Sequence, residues 1–383
     1  MKKKQRIIIA LSGGVDSSVA ALLLKNEGHD VIGLFMKNWH DDSLTLNNQC
    51  PWIEDSNHAL EICNQLKIPF QTIDLSKEYK ENIVDYMISE YKIGKTPNPD
   101  ILCNKKIKFD VFLKHALKLN ADFIATGHYC IKETHKGLHH LKQGSDPLKD
   151  QSYFLCQINQ KQLEKIIFPI GGMHKQEVRE IAQKNNLITA NKKDSQGLCF
   201  VGKIKLPVFL QQQIQQKKGD IIEIQKESEL YKKNLIIGAD FIYKIKDGKK
   251  IGEHNGAHQF TVGQRKGLTV GGKKEPLFVI KTDVKKNIIF VGMGGNHPGL
   301  FRKSLKIKSQ EVHWLNPKYA LSNCKKEKFL VRIRHRQNLQ KAELKMTKNY
   351  LYIIFEKNQR GITHGQFAAW YKEEELIGSG PIS

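Results

Sequence analysis

The run Arg6–Leu11 ends on Ser12-Gly13-Gly14-Val15-Asp16-Ser17-Ser18, and few folds accommodate that junction. Three isoleucines and a leucine read as a short buried strand. Two glycines then let the backbone turn tightly and approach a ligand. Ser17 and Ser18 open a helix, whose unpaired N–H groups and dipole attract an anion. The string is a phosphate cradle. It lacks the G-x-x-x-x-G-K-[ST] pattern, and without that lysine it suits pyrophosphate held and released better than transfer of a terminal phosphate.

The residues that follow alternate β-rich and helical patterns. Strands are expected at Asp30–Phe35, Phe70–Asp74 and Phe123–Thr126, and helices at Ser17–Asn26, Asn57–Leu66, Lys77–Tyr91 and Lys108–Leu119. Such alternation predicts an α/β domain with a parallel sheet, whose ligands bind at the carboxyl ends of strands. After Pro207 the texture changes to short apolar runs between Gly, Lys and Asn, then to mostly β-patterns from about residue 277. The expected organisation is a catalytic domain at 1–206, a small mixed middle domain at 207–287 and an antiparallel β-barrel at 288–383.

Charge divides the chain in the same place. Residues 1–200 carry 27 basic and 23 acidic side chains, a net of +4; residues 201–383 carry 35 and 16, a net of +19. A basic half beside a near-neutral one implies a bound polyanion, nucleic acid before an anionic membrane surface. In Phe329–Arg336, strand alternation would put Arg332, Arg334 and Arg336 on one face, suited to phosphates. No stretch approaches the roughly 18 apolar residues of a membrane span. The basic start Met1–Arg6 precedes too short an apolar run for a signal peptide. A cytoplasmic location is expected.

Seven cysteines stand at 50, 63, 103, 130, 156, 199 and 324, with no C-x-x-C. An odd count at this length argues against a disulfide framework, and zinc-ligand spacing is absent, so no metal site is assigned. Cys63 and Cys156 read as core. Cys103, in Thr96-Pro97-Asn98-Pro99-Asp100-Ile101-Leu102-Cys103-Asn104-Lys105-Lys106, follows a proline-fixed loop in electropositive surroundings that favour thiolate. Cys199, in Lys192-Lys193-Asp194-Ser195-Gln196-Gly197-Leu198-Cys199-Phe200, has a similar setting. These two are the candidate reactive thiols. Asp100 is a candidate general acid or base, or simply a helix cap. His139-His140 reads as a polar surface loop.

The glycine string resembles the PP-loop of the ATP pyrophosphatase superfamily. Further strings, TPNPDILCNKKIKF at 96–109, ATGHY at 125–129, KDQSYFL at 149–155, KKDSQGLCF at 192–200 and GQRKGL at 263–268, resemble the bacterial tRNA-specific 2-thiouridylase family. The resemblance spans most of the chain and is weakest beyond about 300. It implies ATP with Mg²⁺, and tRNA and a sulfur-donor protein as partners. It also implies that Ala10, Leu11, Ser12, Gly13, Gly14, Val15, Asp16 and Ser17, with Met36 and Gly127, bind the nucleotide. Asn98, Pro99 and Asp100 would hold the target base. Cys199 would carry sulfur as a persulfide, with Cys103 as its partner thiol and the two forming a disulfide during turnover. His128, Lys149, Asp150, Gln151, Arg334, His335 and Gln366 would contact tRNA. Two departures stand out: Gln196 where the family has Ser or Thr, and His364-Gly365-Gln366 where it has Pro-Gly-Gln. Another PP-loop synthetase acting on a small metabolite, and an RNA-binding protein without catalysis, are the rival readings.

Overall fold

The computed structural model describes residues 3–38, 51–193, 206–232 and 235–383. The first domain is built on a parallel sheet. β1 (Arg6–Leu11) pairs with β2 (Asp30–Lys37) and β4 (Phe123–Ala125), while β3 (Phe70–Asp74) lies outside β2 and Ile166–Ile167 outside β4. Ile7, Ile8 and Ile9 are fully buried. Helices on both faces require such an unbroken β-branched run in a central strand. The order β3-β2-β1-β4 reverses direction at β1, so a crevice opens between the carboxyl ends of β1 and β4. Helix α1 (Val15–Asn26) and α2 (Pro51–Leu66) pack on one face with Cys63, whose thiol burial pushes up to about 12.

The middle domain is a four-stranded sheet of Gly219–Glu223, Lys249–His254, Leu277–Asp283 and Ile288–Met293. Ile288–Val291 runs parallel to Asp220–Glu223 and antiparallel to Leu277–Asp283. The expected boundary at 287 therefore falls inside a hairpin, because Ile288–Met293 fills a place between two strands of this sheet.

The C-terminal region is an antiparallel sheet whose strands run from Phe301–Lys308 to Glu375–Pro381. It does not stop at its own chain segment. The hairpin Cys130–His135/Leu138–Gln143 from the first domain joins its edge through Glu375 and Lys142. His139 and His140 are thus strand residues rather than a surface loop, and His140 Nδ1 lies 2.7 Å from Glu375 Oε1. One apolar core includes Tyr153, Leu155 and Ile158 together with Phe367, Tyr371 and Leu376.

Residues 150–157 are the plug of this joint. The Tyr153 hydroxyl donates to the Phe367 carbonyl at 2.9 Å, and Gln157 Nε2 donates to Ser379 Oγ at 2.7 Å. Arg332 Nη2 donates to Asp150 Oδ2 at 2.6 Å, with both side chains at most 5% exposed. This corrects the expected arginine face. The strand ends at Arg332, so alternation does not reach Arg334 or Arg336, and Arg332 points inward because a buried carboxylate awaits it. Burial alone would raise the Asp150 carboxyl. The Arg332 charge, with hydrogen bonds from Gln143 and Ser152, holds it below the ordinary carboxylate value. Its contribution is therefore complete above about pH 4 and is lost as pH falls through the lowered native value.

Arg332→Met leaves a buried carboxylate unpaired, which costs about 3–5 kcal/mol. Chemical denaturation should show that loss, and the double variant Asp150→Leu/Arg332→Met should recover much of it.

Candidate functional site

β1 delivers Ser12 to the crevice. Gly13 adopts φ +68, and a Cβ there would overlap the Asp55 carbonyl oxygen of α2. Gly14 is the extended residue before α1. The Ser17 and Ser18 hydroxyls donate to the Gly14 carbonyl at 3.1 and 2.9 Å, and the Ser12 amide donates to Ser17 Oγ at 3.2 Å. The turn is thereby set before any ligand arrives. Opposite it, the loop after β4 comes against the start of α1: a Cβ on Gly127 would lie 2.7 Å from the Ser17 nitrogen and 2.8 Å from the Asp16 carbonyl carbon. Asp16 turns aside, accepting from the Tyr129 hydroxyl and Lys175 Nζ, each at 2.7 Å. Ala10, Leu11 and Met36 line the sheet end and are buried.

Two residues of this crevice escape sequence reasoning. Lys175 is 159 positions from Asp16, and no local pattern marks it. Asn38, at the carboxyl end of β2, is fully buried, and neither side-chain amide atom has a partner among the described residues. Buried polar atoms are ordinarily hydrogen-bonded, so this amide stands out at the carboxyl end of the sheet. An Asn directly after an apolar strand is the signal that could have found it.

The second element is the loop into Cys103. Asn98, not Asp100, caps the helix: its Oδ1 accepts from the Ile101 amide at 3.2 Å. Pro99–Leu102 is the first turn, Cys103–Val111 winds as a π-helix, and Phe112–Lys118 resumes α. π-Segments are rare and concentrate at functional sites. Cys103 is fully buried. The helical winding turns it inward with Ile101 and Ile107, in the core that also holds Ala10 and Met36. Lys105 instead reaches away to Gln157 Oε1 at 2.9 Å. Phe109 of the same segment packs on His128, ring centres 5.8 Å apart.

The middle and C-terminal domains both grip the loop before Asn98. The Thr96 amide donates to the His364 carbonyl at 2.8 Å, and Gln366 Nε2 donates to the Thr96 carbonyl at 3.0 Å. Asn98 Nδ2 reaches Gln366 Oε1 at 3.5 Å, and Thr96 Oγ1 shares a hydrogen bond with Thr261 of the middle domain at 3.2 Å. Gly365, at φ +87, lets the barrel turn lie against Lys95 and Thr96. His364 Nε2 lies 2.6 Å from Asp240 Oδ2. Burial, then the charges of Lys281, Arg302, Lys306 and Lys95, push its imidazole down to about 3.

The other expected contacts are scattered. His128 is buried and shares a 2.7 Å hydrogen bond with Thr126, and burial followed by the Lys108 charge lowers its pKa. Lys149 is half-buried, whereas the Asp150 carboxylate is enclosed and spent on Arg332 and its neighbours. Gln151 Oε1 accepts from the Tyr129 amide at 3.0 Å. Arg334 is exposed and donates to the Gly361 carbonyl at 2.7 Å, and His335 packs against Phe154 with ring centres 4.2 Å apart and the rings tilted by 41°. Cys199 lies outside the described residues.

Known proteins share this arrangement. Residues 5–203 match the family described as tRNA methyl transferase HUP domain, 208–293 its PRC-barrel domain, and 304–382 the aminomethyltransferase beta-barrel domain. The tRNA-specific 2-thiouridylase MnmA of Flavobacterium johnsoniae is 55% identical over 99% of this chain and 100% of its own. The chain belongs to the tRNA-specific 2-thiouridylase family. Its relative in Karelsulcia muelleri is 53% identical over 100% of this chain and 99% of that one, and in Bacillus subtilis 40% over 98% and 94%. The barrel that closes on the Thr96 loop is thus part of the family architecture, and the nucleotide used at its PP-loop is ATP.

Gly127→Ala forces a methyl group into the Ser17 amide. The KM for ATP should rise about tenfold or more in a pyrophosphate-release assay, with the melting temperature little changed.

Proposed function

We propose that this enzyme thiolates C2 of the wobble uridine in tRNAs of the lysine, glutamate and glutamine type, consuming ATP. The observation that carries this reading is that Ala10, which leads into the phosphate loop, shares one core with Ile101, Leu102 and Cys103, in a chain of thiouridylase sequence. The C2 oxygen is a poor leaving group. Transfer of AMP to it, with release of pyrophosphate, makes it a good one. Ser12–Ser17 and Gly127 hold the nucleotide, and Mg²⁺ would offset the negative charge of its phosphates when bound.

The target base must leave its stack to reach a buried pocket. Asn98, Pro99 and Asp100 face it there, with Asp100 exchanging a proton with the ring. A persulfide on Cys199 attacks C2: the carbon–sulfur bond forms and AMP departs with the oxygen. The Cys103 thiolate then attacks the Cys199 sulfur. The persulfide S–S bond breaks, the product sulfur stays on C2, and a Cys103–Cys199 disulfide forms. A thiol reductant reopens it for the next cycle. Burial of Cys103 keeps this thiol from solvent oxidants between turnovers. The basic C-terminal half holds the RNA through its phosphates, with Arg334, His335, Gln366, Lys149 and Gln151 at the contact. A protein donor in the cytoplasm loads Cys199. Among the described residues no helix is long and apolar enough to cross a membrane.

Unmodified lysine tRNA incubated with enzyme, Mg²⁺-ATP and a sulfur source should yield 2-thiouridine by nucleoside mass spectrometry, and only with ATP. Cys199→Ser and Cys103→Ser should each lose about a hundredfold or more of that activity while binding tRNA normally. Full thiolation by either variant would remove the mechanism. No thiolation by the parent enzyme would favour the small-metabolite reading.

A further inference from the structure

The middle-domain carboxylate of Asp240 gathers three partners. Its Oδ1 accepts from Arg302 Nη1, and its Oδ2 accepts from Lys281 Nζ and, at 2.6 Å, from His364 Nε2. A carboxylate only accepts, so the His364 ring carries its proton on Nε2. The Asp240 and Arg302 side chains are 19% and 11% exposed, and two charges so far from water need each other. Arg302 spends its other nitrogen, Nη2, on the Ile362 carbonyl at 2.7 Å. Asp240 therefore holds the C-terminal turn at two points, at 362 through Arg302 and at 364 directly. Its own segment is anchored. The Gly238 amide donates to Ser304 Oγ at 2.8 Å, and Tyr243 is buried and hydrogen-bonded to Tyr231 at 3.0 Å.

The same turn lies against the loop that leads to Asn98. The His364 carbonyl accepts from the Thr96 amide at 2.8 Å. A Cβ on Gly365 would stand 3.0 Å from the Thr96 carbonyl oxygen. Gln366 Nε2 reaches the Thr96 and Pro97 carbonyls at 3.0 and 3.4 Å. Packing alone does not set the spacing of this junction. A cavity of about 460 Å³ runs along it, with Lys95, Thr96, Asp240, Arg302, Thr363 and His364 in its wall. Side chains that face a cavity lack contacts on that side, so the polar links fix the distance between turn and middle domain.

We propose that Asp240 is a positioning residue for thiolation: acting through His364, it sets where the Thr96–Asn98 loop presents Asn98 to the target base. The inference rests on the thiolation reading above. The path has three links. Asp240 holds the His364 imidazole, the His364 carbonyl holds the Thr96 amide, and the stiff Pro97 step carries that position to Asn98. A misplacement of about 1 Å from a change remote from the chemistry can cost about a hundredfold in rate. Thr261 and Gln366 also hold Thr96, at 3.2 and 3.0 Å. Loss of the Asp240 link therefore shifts the loop without releasing it, and a smaller loss of about tenfold is expected.

The test uses three variants: Asp240→Ala; His364→Leu, which keeps the backbone carbonyl and removes the ring; and His364→Gln, whose amide can still donate to the carboxylate. Thiolation turnover at saturating tRNA and ATP should fall about tenfold in Asp240→Ala and His364→Leu. The KM for ATP and the tRNA dissociation constant should stay at the parent values. Hydrogen exchange at the Thr96 amide should speed up by about the same factor, and His364→Gln should restore both turnover and protection. A merely structural clamp would lower the melting temperature yet leave turnover of the folded enzyme and Thr96 exchange unchanged, and that result would overturn the inference. Slower turnover without faster Thr96 exchange would overturn it too. So would a parallel rise in the KM for ATP, which would mark a general loosening of the site. A parent enzyme that does not thiolate tRNA would overturn the thiolation reading and this inference with it, an outcome seen before any variant is made.

Discussion

Arg332 and Asp150 lie 182 positions apart, yet both are buried in one hydrogen-bonded pair on which the assembly of the site depends. Such a pair adds little net stability, because desolvation offsets most of the attraction. Its effect is on specificity of packing. Asp150 also accepts from the Gly144 and Ser152 amides at 3.2 and 3.0 Å, so a single carboxylate sets the start of the 150–157 plug and the end of the 138–143 strand. With that plug seated, the first domain and the C-terminal sheet share a core, and the turn at 361–366 is carried to the Thr96 loop.

The Thr96–Asn98 loop shows why three domains are needed for one site. Its backbone cannot satisfy itself, because the two prolines at 97 and 99 lack amide donors and hold the chain extended. The Thr96 amide and carbonyl therefore find partners outside, in His364 and Gln366. Gln366 serves both sides: its amide nitrogen holds the Thr96 carbonyl, and its oxygen meets the Asn98 side chain. Gln366 thus ties the loop that leads to Cys103 to the C-terminal domain.

Much of the parallel domain was legible because its signals are local. Ile7–Ile9 needs both faces covered whatever lies elsewhere, and Gly13-Gly14 before a helix makes a cradle from adjacent residues alone. Partners remote in sequence were not legible. The 138–143 strand has alternation too weak to announce itself, and although it pairs with 130–135 in a local hairpin, its place at the edge of the C-terminal sheet is set through Glu375 across the chain. Lysines flanking Cys103 in sequence suggested electropositive surroundings, but the π-helical winding buries Cys103 and sends Lys105 to Gln157. Asn38 and Lys175 carry no motif, and only the crevice reveals them.

The sequence by itself determined the fold of the first domain, the phosphate loop and the concentration of positive charge in the second half, because each follows from neighbouring residues or simple counting. The tertiary structure alone decided which charges are spent and which remain free. Arg332 and Asp240 are consumed in internal pairs, and Arg334 remains exposed, for a reason that no local pattern contains: a buried charge goes wherever the folded chain has left an opposite charge unpaired.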